Sequence, residues 1–232
     1  MWLHLILQTR LKKGVGVSQR DIPNWAFDAT QAIMEMVRVK DQGTYEHCIR
    51  VSRAVRLLAK AAGLNEYDQK VAEFAGLFHD VGKVGVPDSI LLKPAKLTEE
   101  EFNVMKLHPE KSVQIIQPLA DKVAFFQNLI PGVLYHHERF DGKGYPEGVW
   151  GEDIPLTARM ILVVDTFDAM TANRAYRTGL PAEVAYKELQ EFAGRQFDAQ
   201  LVKIFLQAQP TWSANDFQIF EEMNVQVLKI AA

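Results

Sequence analysis

The sequence holds six histidines, and five of them (His47, His79, His108, His136 and His137) stand in helical or helix-edge stretches beside acids. Taken singly, such histidines more often serve packing or the surface than chemistry. Their surroundings argue for more. His47 shares a stripe with Val51, Ala54 and Leu58, so it is a polar group on an apolar face and needs a partner once buried. Asp80 follows His79 at the end of an apolar helical segment, where a carboxylate opposes the helix dipole and needs a compensating cation. Asp165 stands in "MILVVDTF", and a carboxylate among valines is costly without a positive partner that its neighbours do not supply. Metal binding would meet all three needs. Five imidazoles with two carboxylates are too many for one ion that must leave room for substrate, so the set predicts two divalent transition-metal ions sharing one carboxylate. Ligation without thiolate suits iron, manganese or zinc. Such an ion pair suits hydrolysis of phosphate esters, one ion activating a water and both neutralising charge that develops on phosphorus.

The stretch "HHERFDGKGYP", residues 136–146, poses a sharper question. Adjacent residues on a helix point about a third of a turn apart. Either one of His136 and His137 is a solvated bystander, or both reach a common polar site.

The elements that must position these residues read as helices. Apolar residues recur at three- and four-residue intervals in "WAFDATQAIMEMVRV" and in "YEHCIRVSRAVRLLAKAAG", which Gly63 ends. "EYDQKVAEFAGLFHDVG" predicts a helix closed by Gly82. "LTEEEFNVMKL" opens on a capping-box pair, Thr98 and Glu101, and "HPEKSVQIIQPL" carries Pro109 where proline suits a first helical turn. "VAFFQNLIPGVLYHHERF", "IPLTARMILVVDTFDAMTANR", "PAEVAYKELQEFA" and "DAQLVKIFLQA" complete the set. No stretch alternates convincingly as a sheet, although "QVLKIAA" could form a short strand. The expected class is all-α.

Composition narrows the function classes. A net charge of −3 over 232 residues argues against a coat for nucleic-acid polymers. The single cysteine, Cys48, excludes an internal disulfide framework, fits a reducing cytosol and reads as a small core residue. "MWLHLIL" is too short to span a bilayer and lacks the pattern of a signal peptide, so the expectation is a cytoplasmic protein without a membrane segment. Residues 1–22 read as a leader or linker, 23–212 as one domain, and 213–232 as an amphipathic tail that packs on the domain or on a second copy in a homodimer.

Four separated segments, "HDVGKVGVPDSILLKPAKLTEEEF", "HPEKS", "HHERFDGKGYPEG" and "IPLTARMILVVDTFDAMTANRAYR", occur in an order that closely resembles the HD-GYP domains, a bacterial branch of the HD metal-dependent phosphohydrolases. The resemblance covers roughly residues 25–210. It implies an all-helical fold, a metal pair and hydrolysis of the phosphodiester bonds of cyclic di-GMP to pGpG or GMP. Carried over by position, His47, His79, Asp80 and Asp165 would surround one ion, and Asp80 would bridge to a second ion held by His108, His136 and His137. Lys83 would reach a non-bridging phosphate oxygen, Arg174 and Arg177 would contact phosphate or guanine, and the loop of Gly144, Tyr145 and Pro146 would form part of the substrate groove or a protein-partner surface. Some family members carry a glutamate one turn before the first histidine, which helps to hold a third ion; here that position is Gly43.

Several residues admit plainer roles. Asp168, one turn after Asp165, is an alternative ligand, although family spacing favours Asp165. Lys83 could merely neutralise a helix end, Arg174 and Arg177 could form a solvated face, and Tyr145 could stack a guanine or brace its loop. Two other functions compete: a general HD-type nucleotide phosphohydrolase, against which the GYP segment and the arginines count, and a non-catalytic effector that binds cyclic di-GMP or a partner, against which the intact ligand set counts.

Overall fold

The computed structural model describes residues 22–173 and 178–213. The leader up to residue 21, Arg174 and Arg177, the short strand foreseen in "QVLKIAA" and all of the C-terminal tail but Ser213 lie outside the described residues. Within them the chain folds as helices α1 (Asn24–Lys40), α2 (Gln42–Ala61), α3 (Glu66–Phe78), α4 (Asp88–Leu91), α5 (Glu99–Met105), α6 (His108–Ala120), α7 (Ala124–Gln127), α8 (Ile130–Leu134), α9 (Leu156–Thr171), α10 (Ala182–Glu191) and α11 (Ala199–Ala208). The only β pairing among the described residues is an isolated bridge between Ala193 and Phe197. The chain is all-α, as its periodicity indicates.

Helix α2 is the central strut. Its buried residues Thr44, His47, Cys48, Val51, Ser52, Val55, Leu58 and Ala59 repeat at three and four, with Val55 rather than Ala54 fully inside. Asp41 caps it, accepting from the amides of Gly43 and Thr44. α2 packs along α3 and against α9. α9 is buried on every side over Met160–Val164, because a helix apolar all round belongs in an interior. Phe74 and Phe78 of α3 meet Phe125 and Phe126, with the Phe74 and Phe125 rings 5.2 Å apart edge to face. This aromatic cluster backs the end of α3 that carries His79.

Two boundaries differ from the sequence expectation. α3 ends at Phe78 rather than at Gly82, and residues Val81–Gly85 form a 3-10 turn. The amide of Gly82 donates to Ser112 Oγ (2.8 Å) instead of to a helical carbonyl. The segment "VAFFQNLIPGVLYHHERF" is two short helices, α7 and α8, and not one. Pro131 has no N–H to give to the preceding turn and stands in the first turn of α8, where that lack costs no helical hydrogen bond, so the sequence favours a fresh helix start here.

The capping box of α5 forms: Thr98 Oγ1 accepts from the Glu101 amide (3.3 Å) while Glu101 Oε2 accepts from the Thr98 amide (2.8 Å). α5 buries no residue completely, so the caps are a main support of its first turn. Thr98→Ala should weaken this helix by about 1 kcal/mol. The measurement is amide exchange, which should quicken at Phe102–Lys106 and stay unchanged in α2 and α3.

Candidate metal centre

Five imidazoles converge from four parts of the chain. His47 comes from the middle of α2, His79 from the end of α3, His108 from the first turn of α6, and His136 with His137 from the turn after α8. Successive rings are neighbours: His47 to His79 at 5.2 Å between centroids, His79 to His136 at 5.0 Å, and His108 to His137 at 5.0 Å. The two adjacent histidines both point into this cluster, their centroids 4.2 Å apart and their planes 43° apart. Neither is a solvated bystander.

Three of the rings are fixed by one local device. The Nδ1 atoms of His79, His108 and His136 each lie 2.7–2.8 Å from the carbonyl oxygen three residues earlier, on Gly76, Met105 and Val133. A carbonyl only accepts, so Nδ1 carries the proton, and in the neutral ring that a metal requires Nε2 presents its lone pair inward. The consequence is visible: His79 Nε2 is buried with no hydrogen-bond partner, and His108 Nε2 faces His136 Nε2 at 3.2 Å. Two such nitrogens repel unless a proton or a metal cation lies between them. His47 is oriented differently, by Asp168, whose Oδ2 accepts from Nδ1 at 2.7 Å. Asp168 is itself gripped by Arg50 through two hydrogen bonds of 2.7 and 2.9 Å.

Asp80 sits between the rings. Its Oδ1 is 3.1 Å from His108 Nε2, though not in hydrogen-bond geometry, and its Oδ2 is 3.4 Å from His79 Nε2 and 3.6 Å from His47 Nε2. Lys83 Nζ donates to Oδ2 at 2.6 Å. Asp165 Oδ1 lies 3.0 Å from His47 Nε2. Two groups of donors could each hold an ion, His47 with His79 and Asp80, and His108 with His136 and His137.

The electrostatics suit a cation site. Burial disfavours charge on Asp80, yet Lys83 and then His79 hold its carboxyl well below the usual range. Burial likewise opposes charge on Asp165, and the hydrogen bond from His47 brings it down. Burial resists protonation of His47 too, but Asp165 and Asp168 together raise it to about 9. Burial and the neighbouring imidazoles keep His136 far below its ordinary value and bring His137 to about 3, so both are neutral donors at physiological pH. Cys48 is no competitor: it is fully buried, and burial pushes its thiol up. The orphaned His79 Nε2, the facing lone pairs and the nitrogen–oxygen donor set fit divalent transition ions.

Two glycines and a serine hold the centre together. A Cβ at Gly82 would lie 2.1 Å from the His108 carbonyl oxygen and 2.5 Å from the Ser112 amide. Only glycine lets the turn after Asp80 lie against the start of α6. Ser112 locks that contact, accepting from Gly82 and donating to the His79 carbonyl at 2.8 Å. A Cβ at Gly144 would likewise sit 2.4–2.5 Å from the backbone of residues 137–139, so the GYP loop lies directly on the chain that carries His137. Tyr145 stacks on His137 with centroids 4.7 Å apart. Arg50, Ser112 and Glu138 went unassigned from sequence, and Asp168 was weighed there only as a ligand.

A family model described as "HD domain" matches residues 31–201. The chain belongs to the HD-domain family. Its motif pattern is that of the HD-GYP branch. Among its relatives, the cyclic di-GMP phosphodiesterase response regulator RpfG of Xanthomonas campestris is 36% identical over 84% of this chain and 51% of its own length. A cyclic di-GMP phosphodiesterase of Thermotoga maritima is 34% identical over 79% of this chain and 49% of its own. A 3'3'-cGAMP-specific phosphodiesterase of Vibrio cholerae is 36% identical over 81% of this chain and 35% of its own. This HD-domain chain thus spans about half the length, or less, of these relatives. Bd1817, an HD-GYP-type protein of Bdellovibrio bacteriovorus, matches the fold with a TM-score of 0.54 at 20% identity, over 78% of this chain and 61% of its own. No helix among the described residues is long and apolar enough to cross a membrane.

Proposed function

We propose that this HD domain hydrolyses a phosphodiester bond of cyclic di-GMP with a pair of divalent ions, iron, manganese or zinc. The carrying observation is Asp80, which offers one oxygen to each of two histidine groups at 3.1 Å and at 3.4–3.6 Å. His47, His79, Asp80 and Asp165 would hold one ion, and Asp80, His108, His136 and His137 the other. Bound there, the pair supplies Lewis acidity that polarises a phosphate diester and lowers the pKa of a water. The chain's own residues do the rest. Asp168, held by Arg50, keeps His47 facing inward, and Lys83 keeps an ammonium beside Asp80 from which it can turn to a non-bridging phosphate oxygen. Arg174 and Arg177, suited to bidentate phosphate contact, would engage the substrate together with Tyr145. The names of the relatives support a cyclic dinucleotide substrate, and among them 3'3'-cGAMP is a second candidate.

The test is a time course on metal-loaded protein with cyclic di-GMP, 3'3'-cGAMP, ATP and a generic diester, resolved by chromatography. Cyclic di-GMP should be cut fastest. Faster cutting of 3'3'-cGAMP would move the assignment to that substrate, and cleavage of ATP or the simple diester alone would leave a general phosphohydrolase. The same time course reads the product. A carboxylate at Gly43 would meet nothing closer than Asp41 Oδ1, 3.5 Å from its Cβ, so what glycine withholds here is a ligand and not space. With two ions, linear pGpG and its terminal dianion are held less firmly than the cyclic substrate. A deficit of about 1.4 kcal/mol makes the second cut roughly tenfold slower, and pGpG should accumulate. Complete conversion to GMP without pGpG would overturn that expectation.

A further inference from the structure

Among the described residues His137 stands apart from the other four imidazoles. Those four are each oriented through Nδ1, three by backbone carbonyls and one by Asp168. Neither ring nitrogen of His137 has a hydrogen-bond partner among the described residues; its ring lies against His136 and His108, and the ring stacked nearly parallel on it is that of Tyr145, 4.7 Å away with planes 24° apart. A stacked aromatic fixes the plane of an imidazole without using either nitrogen, which leaves both free for other bonds.

The Tyr145 ring is in turn held by its loop. The Tyr145 amide donates to the His137 carbonyl at 3.3 Å, and the missing side chain of Gly144 lets the loop lie on residues 137–139. The far side of the loop is pinned by Glu138, which is 1% exposed. Its Oε1 accepts from the amides of Glu147 and Gly148 at 2.7 and 2.9 Å, while Oε2 is buried without a partner. A buried carboxylate is an expensive way to hold a surface loop. It is understandable if the loop must be held to a fraction of an ångström.

We infer that Glu138 and Tyr145 are positioning residues of the metal centre: Glu138 clamps the GYP loop, the loop fixes the Tyr145 ring, and that ring sets the plane of His137. The GYP loop is then part of the scaffold of the second ion. This goes beyond a substrate or partner surface, and it rests on the two-ion reading above only for its consequence in metal affinity.

Two measurements on the full chain test it. The first is the His137 Cε1–H resonance in metal-free protein. In the wild type it should be shifted upfield by the Tyr145 ring. Tyr145→Phe and Glu138→Gln, which keep the ring and the acceptor, should preserve the shift, whereas Tyr145→Leu and Glu138→Ala should lose it. The second is calorimetric titration with Zn(II). The wild type should take two ions; Tyr145→Leu and Glu138→Ala should keep one site unchanged and weaken the other by about 10–100-fold, the usual effect of losing an orienting partner, with Phe and Gln again preserving it. An unmoved resonance in Tyr145→Leu and Glu138→Ala, or two unaltered sites in both, would overturn the inference. A wild type that takes fewer than two ions would sink the two-ion reading instead, and the resonance would still decide the clamp.

Discussion

Asp80→Ala is expected to abolish the metal pair and the activity together. Each carboxylate oxygen of Asp80 faces a different histidine group, so on the proposed assignment its removal would take a donor from both sites and, among the described residues, the carboxylate placed to link them. Bound metal should fall from two ions per chain to less than one. Charge stabilisation by such ions is worth several kcal/mol, and a loss of about 4 kcal/mol is roughly a thousandfold in turnover. The fold should survive. Asp80 lies in a turn beyond α3, and the aromatic cluster of Phe74, Phe78, Phe125 and Phe126 does not depend on it. Lys83, whose side chain is 25% exposed, can turn to water once its partner is gone. Metal-free wild type and variant should therefore melt within a few degrees of each other. Added metal should raise only the wild-type midpoint, since a ligand bound by the native state alone stabilises it. Wild-type metal content in the variant would refute the bridging role.

How much of this centre can be read without coordinates follows from the distances along the chain over which its parts act. His79, Asp80, His108, His136 and His137 are legible because each lies in a short motif, His47 because it interrupts an apolar stripe, and the device that fixes His79, His108 and His136 is local, a carbonyl three residues back. Asp168 is not legible in the same way. From sequence it is a second carboxylate one turn after Asp165, and only the fold shows that it reaches the far nitrogen of His47 across 121 residues. Ser112 is a similar case, joining the turn after His79 to α6 across 33 residues. Helix periodicity gives the elements but not their ends, because ends are decided by competitors for single hydrogen bonds: Ser112 for the Gly82 amide, and proline's missing donor at 131. Tyr145 shows a third limit. Bracing the loop and stacking a guanine are alike in sequence, and one face of the ring is already occupied by His137.

Lys83→Ala should separate chemistry from assembly. The ammonium lies 2.6 Å from Asp80 Oδ2 on a turn outside α3, and three quarters of its side chain is covered. Burial works against its charge, but Asp80 raises its pKa, so it is an ammonium throughout the physiological range. If its role were only to neutralise Asp80, an ion pair in the same site would make it redundant once metal is bound. The variant would then keep wild-type turnover. If it supplies a positive charge to the phosphate as negative charge develops there, its loss is felt only in the transition state. Removing one such positioned donor commonly costs on the order of a hundredfold in rate. Lys83→Ala should therefore bind two ions and melt as the wild type does when metal-loaded, with turnover lower by about that factor and KM little changed. A variant that loses its metals would show that Lys83 is needed to organise Asp80. One with undiminished turnover would return Lys83 to the structural role of balancing the charge at the end of α3.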